Sequence, residues 1–278
     1  MKVKTPKPQV KKASKTRKTR KARKPRTPRA MQVAFNPDVV KLIRGQELDF
    51  SDAALEPMAT GKEIDVLLST EGGLMPGTNL MLCGGPGSGK TTIALDILSN
   101  LTKSGYKCLF VSAEMDEVQH FKYCKRMPHI GCVQTLFLKN YAENPQPVLE
   151  YVFNQGYDVV CIDSFAEVIE LLRDAYKYSE ATAETWLLHI QDRMKKGDNP
   201  NKYFTTFINI QQVTKGGDFV GSNRIKHMTD AMGHVERSKD GMERSIYFSK
   251  HRDCDKDYKL LFAIGSEGVH YSYEPVKD

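Results

Sequence analysis

The residues in this chain with the clearest chemical purpose are Lys90 and Thr91, which close the stretch Gly84-Gly85-Pro86-Gly87-Ser88-Gly89-Lys90-Thr91. The spacing is G-x-x-x-x-G-K-[ST] at every fixed position, and each residue type has a physical reason. Glycines let successive backbone N–H groups turn inward around phosphate oxygens, and the helix that follows presents its unpaired N-terminal N–H groups to the same anion. Lys90 adds a point charge for the β and γ phosphates of a nucleotide, and the Thr91 hydroxyl is a ligand for Mg²⁺. Thr92 continues the phosphate-facing set. A glycine-rich turn matching by chance is the competing explanation, and the flanking elements argue against it.

Those elements are legible on both sides. Asn79 to Cys83 is a short apolar run of buried-strand type, and the residues after the loop place Ile93, Leu95, Ile97, Leu98 and Leu101 on the apolar face of a helix. A second strand, Lys107 to Ser112, delivers Glu114 at its C-terminal end, the end that lines the ligand crevice of parallel α/β sheets. A carboxylate there is placed to orient and deprotonate a water attacking a γ-phosphate, although an acid at a helix N-terminus, followed by Asp116 and Glu117, has the same signature. Tyr157-Asp158-Val159-Val160-Cys161-Ile162-Asp163-Ser164 is an apolar strand ending in aspartate, and downstream of a complete phosphate loop Asp163 is expected to hold Mg²⁺ directly or through water. Asp116 to Met127 and Pro147 to Asn154 suggest helices, Val133 to Leu138 and Tyr203 to Ile210 strands. Phe165 to Lys196 is mostly helical with a polar interruption at Tyr176-Lys177-Tyr178-Ser179-Glu180, whose tyrosines either stack on bases or lie as ordinary surface rings. Ser245 to Ser249 and Leu260 to Ile264 are further strands.

At 278 residues with 40% hydrophobic composition the chain can bury one substantial core. No apolar run approaches bilayer length and no apolar leader opens the sequence, so an intracellular, cytoplasmic protein is expected. The six cysteines, at 83, 108, 124, 132, 161 and 254, include no C-x-x-C pair; buried thiols are expected rather than a zinc ribbon or disulfides. The net charge of +7 averages two opposed parts. Residues 1–30 hold 14 of the 41 basic residues and no acid, leaving 27 basic against 34 acidic residues beyond them. Residues 1–32 are therefore expected to form a disordered basic arm with salt-sensitive affinity for nucleic acid, or else a solubilising or targeting tail, and 33–278 a single domain.

A resemblance extends this reading. Thr60-Gly61 through Asp65, then Gly72-Gly73-Leu74-Met75-Pro76-Gly77 before the phosphate loop, Ser112-Ala113-Glu114-Met115 after it, and the segment from Gln211-Gln212-Val213-Thr214-Lys215-Gly216-Gly217 to His227-Met228-Thr229-Asp230 resemble the RecA superfamily of P-loop ATPases, most of all the ATPase domain of RadA. The resemblance implies an α/β fold with a twisted, mostly parallel sheet and helices on both faces, binding ATP and Mg²⁺. It implies catalysis by Glu114 and Lys90, with Gln212 sensing the γ-phosphate where RadA has histidine and RecA glutamine. It makes Lys215, Arg224 and Lys226 candidates for single-stranded-DNA contacts in a glycine-rich loop, which otherwise is a solvated hairpin. Lys250 and Arg252 stand in Lys250-His251-Arg252 where the family has K-N-R, and are implied to reach the ATP of a neighbouring subunit in a homo-oligomeric ring or filament. Neither the four-cysteine zinc finger nor the Lon-like domain that flank the ATPase domain of RadA is expected in this protein. The sequence thus resembles the short recombinases of some phages, with the host cytoplasm as the place of action. The expected function is a DNA-dependent ATPase in recombination or repair; a DnaB-like replicative helicase and a KaiC-like regulatory ATPase are the rivals.

Overall fold

The computed structural model describes residues 43–48, 50, 54–200, 202–213, 223–254 and 258–275. The proposed basic arm lies outside them. Contacts divide the chain into residues 1–49, of which the described part is a short 3-10 turn at Gly45–Glu47, and residues 50–278.

Nine strands of the second unit form one sheet in the order β3-β2-β4-β5-β1-β6-β7-β8-β9. Six of them are parallel: β1 (Asn79–Gly84), β2 (Cys108–Ser112), β3 (Gln134–Phe137), β4 (Val159–Asp163), β5 (Thr206–Gln212) and β6 (Ala231–Arg237). The antiparallel strands β7 (Arg244–His251), β8 (Tyr258–Gly265) and β9 (Gly268–Pro275) continue the sheet beyond β6. Because strands buried on both faces need apolar residues at every position, β1, β2 and β4 read as continuous runs, but their side chains separate by parity. Leu80, Leu82, Phe110, Cys161 and Ile208 join a core on the face covered by α2 (Lys90–Lys103). Met81, Cys83, Leu109, Val111, Val160 and Ile162 join the other, covered by α4 (Pro145–Phe153), α5 (Phe165–Tyr176) and α6 (Glu180–Lys195). α5 and α6 are each started by a serine whose hydroxyl accepts from the third residue on, Ser164 from Glu167 N and Ser179 from Thr182 N.

β6 escaped the sequence because Ala231-Met232-Gly233-His234-Val235-Glu236-Arg237 has no apolar run. Tertiary contact makes it a strand: at Gly233 a Cβ would stand 2.9 Å from Leu82 and 3.1 Å from Phe248, so only glycine lets its neighbours close over it. Asn223 to Met228, read in sequence as part of a loop, is the helix α7. α2 is buried on more than the one apolar face expected, since the turn at Pro128–Cys132 and β9 cover its second side. The cysteines divide as well, Cys83, Cys108 and Cys161 being buried while Cys132 is exposed and Cys124 and Cys254 half-buried; all six are free thiols. Among the described residues no helix is long and apolar enough to cross a membrane.

Candidate active site

Parallel strands in register bring four sequence-distant residues to one edge. Gly84 of β1 is the register partner of Gln212 of β5, Asp163 of β4 that of Ile210, and Ser112 of β2 that of Asp163. The β1 strand ends at Gly84, where a Cβ would lie 2.3 Å from the Val235 carbonyl oxygen, and the chain turns through Gly85, Pro86, Gly87 and Ser88 into α2. Gly89 takes a φ of 116°, which L side chains rarely adopt, and its carbonyl accepts the first helical bond from Ile93 N at 2.9 Å. The loop is held by packing as well, with Phe262 and Ile264 of β8 against Gly89.

Lys90 is 8% exposed, and its Nζ donates to the carbonyls of Gly84 at 2.8 Å and Gly85 at 2.9 Å, so the ammonium sits inside the loop's own curve. Burial lowers its pKa, with Asp163 and Glu114 opposing. Thr91 Oγ1 donates to Asp163 Oδ2 at 2.6 Å. Burial pushes Asp163 up to about 6, against the Thr91 hydrogen bond that favours the ionised form. Hard oxygen donors from hydroxyl and carboxylate, converging beside a phosphate loop, are the set magnesium takes while keeping most of its waters, so Thr91 and Asp163 fit Mg²⁺. Thr92 is buried one residue further into α2.

The end of β2 is pinned to the end of β4: Ala113 N and Glu114 N both donate to the Asp163 carbonyl, at 2.7 and 3.2 Å. That leaves the Glu114 side chain exposed next to the Thr91–Asp163 pair, and Gln212 Nε2 lies 3.4 Å from Glu114 Oε1. Glu114 does not cap the following helix. Asp116 does, accepting from Gln119 N while the Gln119 side chain accepts from Asp116 N, and opens α3 (Glu117–Arg126).

Two clefts meet on this edge. One of about 470 Å³ is lined by Thr91, Glu114, Met115, Gln119, Lys122, Tyr123, Arg126 and Asp163. The other, about 460 Å³, is lined by Gly87, Gly89, Lys90, Thr91, Thr92, Tyr123, Arg126, Arg244 and Ile264. Tyr123, Arg126 and Arg244 were missed in the sequence. The available signal was weak: α3 buries none of its residues, as suits a helix that walls a cleft, and Arg126 stands 4.5 Å over the Tyr123 ring.

The other candidates lie elsewhere. Lys250 of β7 and Arg252, one residue past its end, flank His251, which pairs with Ala231 and so is level with Leu80, at the far end of β1 from Gly84, and the intervening residues span about 13 Å at the usual strand rise. Lys250 Nζ donates to the Lys226 carbonyl at 2.8 Å and to the Thr229 carbonyl, and Arg252 pairs with Asp230 at 2.9 Å while staying 60% exposed. Arg224 and Lys226 stand on α7 and not on a loop. Arg224 is bound to α6, through Thr185 Oγ1 at 2.5 Å and His189 Nε2 at 3.3 Å. Lys215 and the glycine-rich residues around it, 214–222, lie outside the described residues. Tyr176 and Tyr178 pack on each other, with ring centroids 5.4 Å apart, and both hydroxyls engage Gln146.

Sheet order, phosphate loop and the carboxylates beside it define a P-loop ATPase core of the RecA type. Residues 58–131 match the family described as "ATPase: KaiC". Proteins named DNA repair protein RadA from Campylobacter jejuni and Chlamydia muridarum are 30% and 28% identical over 211 and 209 residues, covering 74% and 73% of this chain. The chain spans less than half the length of these relatives, 44% and 43%. A solved KaiC-like protein from the archaeon Pyrococcus horikoshii shares the fold, with a TM-score of 0.59 at 17% identity over 78% of this chain and 99% of that one. The chain therefore carries a KaiC-like ATPase domain of the RecA superfamily.

Proposed function

We propose that this protein is a Mg²⁺- and ATP-dependent, single-stranded-DNA-stimulated ATPase of DNA recombination or repair, acting in strand annealing, exchange or branch migration. The observation that carries it is the contact between Gln212 and Glu114. It joins the carboxylate proposed to activate water to the last residue of β5, which in sequence precedes the glycine-rich segment proposed to meet DNA. In that reading Lys90 and the loop amides hold the β and γ phosphates, Thr91 and Asp163 hold magnesium, Glu114 takes the proton of the attacking water, and Gln212 reports the γ-phosphate. Magnesium supplies charge neutralisation at the transferring phosphoryl group. The similarity to proteins named DNA repair protein RadA supports DNA as the partner.

ATP turnover by the full chain and by a chain starting at Met31, each with and without single-stranded DNA, tests this. Loss of the 14 basic residues before Met31 should remove much of the salt-sensitive binding but leave the stimulation. Stimulation that disappears with the arm would move DNA contact off the ATPase domain. No stimulation in either would favour a KaiC-like regulatory ATPase with protein partners, for which the match to that family and the attachment of Arg224 to α6 speak.

A further inference from the structure

Arg244 is the first residue of β7 and lies at the opposite end of that strand from Lys250, with Arg252 just beyond. Ser245 pairs with Leu261, so continuation of the antiparallel register sets Arg244 beside Phe262, the residue that packs on Gly89. Cross-strand neighbours share a face of the sheet. Arg244 is thereby directed at the start of α2, and it lines the same cleft as Gly87, Gly89 and Thr92. Its Nε is buried without a hydrogen-bond partner among the described residues. A buried guanidinium N–H left unpaired is costly, and one that faces a cleft is satisfied by whatever fills it.

The lining residues order that cleft. Glu114 and Asp163 belong to the first cleft alone, Thr91, Tyr123 and Arg126 to both, and Thr92, Arg244 and Ile264 to the second alone. If water and magnesium act at the Glu114–Asp163 end, the γ-phosphate lies there and the nucleoside must extend toward Arg244. On that basis, which rests on the function proposed above, we infer that Arg244 is a nucleotide-binding residue contributed by the same subunit, donating to the α-phosphate on the nucleoside side of the phosphate loop. Its counterpart across the cleft is Arg126. Arg252 needs a second subunit to meet a nucleotide, whereas Arg244 does not, so Arg244 governs affinity and takes no part in the chemical step.

Titration of the full chain with fluorescent ADP and ATP analogues, together with steady-state kinetics, tests the assignment. Arg244→Ala should weaken ADP and ATP alike by roughly ten- to a hundredfold, as expected for loss of a charge-assisted hydrogen bond, and raise KM while leaving kcat unchanged. Arg244→Lys should recover only part of the affinity, since a point charge replaces a planar fork. Unchanged nucleotide affinity in Arg244→Ala, with or without a lower melting temperature, would assign the residue to the fold and overturn the inference. A fall in kcat at constant KM would place the cation at the γ-phosphate and overturn it equally. Lys90→Ala is the separate control: if that variant binds both nucleotides as tightly as the parent, the phosphate loop is not the site and the proposed function falls first.

Discussion

Glu114 is surrounded by groups of different duty, and the distances separate them. Thr91 and Asp163 are locked together at 2.6 Å, the carboxylate buried and the threonine half-buried, whereas Glu114 is exposed and, among the described residues, its side-chain hydrogen bond is to Gln212 at 3.4 Å. A carboxylate not locked to a neighbour, beside the pair proposed to hold magnesium, is available to accept a proton from water, and one already locked is not. Glu114→Gln should therefore bind ATP as the parent does and lose turnover by roughly a hundredfold or more, the usual range for removing general-base assistance. Lys90→Ala should lose nucleotide affinity as well, because the ammonium it deletes serves ground state and transition state together. Filter-binding and phosphate-release assays on the two variants distinguish these outcomes. Parent-like hydrolysis by Glu114→Gln would remove the residue from the mechanism.

At the scale of elements, the helix that presents the phosphate loop is anchored by a single buried carboxylate. Asp96 of α2 is 1% exposed and receives Lys62 Nζ at 2.8 and 3.0 Å and Val269 N of β9 at 3.1 Å, with His129 Nε2 at 3.0 Å. Three chain segments distant in sequence thus converge on α2. A ring of buried amides does similar service for β1, Asn79 bonding to Gln191, Gln191 to Asn209 and Asn209 back to Asn79 at 2.8 to 3.0 Å. Asp96→Ala leaves the Val269 N–H without its acceptor and Lys62 with only the Val269 carbonyl, in a site where the lysine is 22% exposed, and should cost about 3 kcal/mol in urea unfolding. A loss under about 1 kcal/mol would mean that Lys62 and His129 reach solvent unaided.

For the whole molecule, the consequential feature is that Arg244, at the start of β7, and Arg252, just past its end, stand at opposite ends of the sheet. Arg252 lies at the end of the sheet away from its own phosphate loop, is held by Asp230 on one side and is open on the other. If it completes a neighbour's site, the interface is heterologous and the subunits assemble head to tail. Arg252→Ala alone should bind nucleotide but turn it over poorly. Mixed with Lys90→Ala protein it should regain part of the parent rate, because some interfaces then pair an intact loop with an intact arginine. Additive, unrescued rates, or a monomer by light scattering with ATP and DNA present, would show that Arg252 acts only through Asp230 within its own chain.

How much of this was written in the sequence follows from the range of the forces involved. The phosphate loop, the strands on either side of it and the positions of Glu114 and Asp163 were legible because each depends on local pattern: glycine freedom, an apolar run, an acid at a strand end. The two-sided core could be expected from the same runs. Arg244, Tyr123 and Arg126 could not, because nothing local marks a cation or a ring as facing a cleft 30 to 150 residues away in the chain. Nor could β6, where Gly233 and a polar composition hide a strand that exists only because β1 and β7 hold it. The helix of Arg224 and Lys226 was hidden for a related reason, as turn-like composition outweighed the packing of Ile225 into the core. Residue type and spacing determined which chemistry this chain carries; register across the sheet, which is set by long-range pairing, decided that Gln212 meets Glu114 and that Lys250 and Arg252 cannot meet their own phosphate loop.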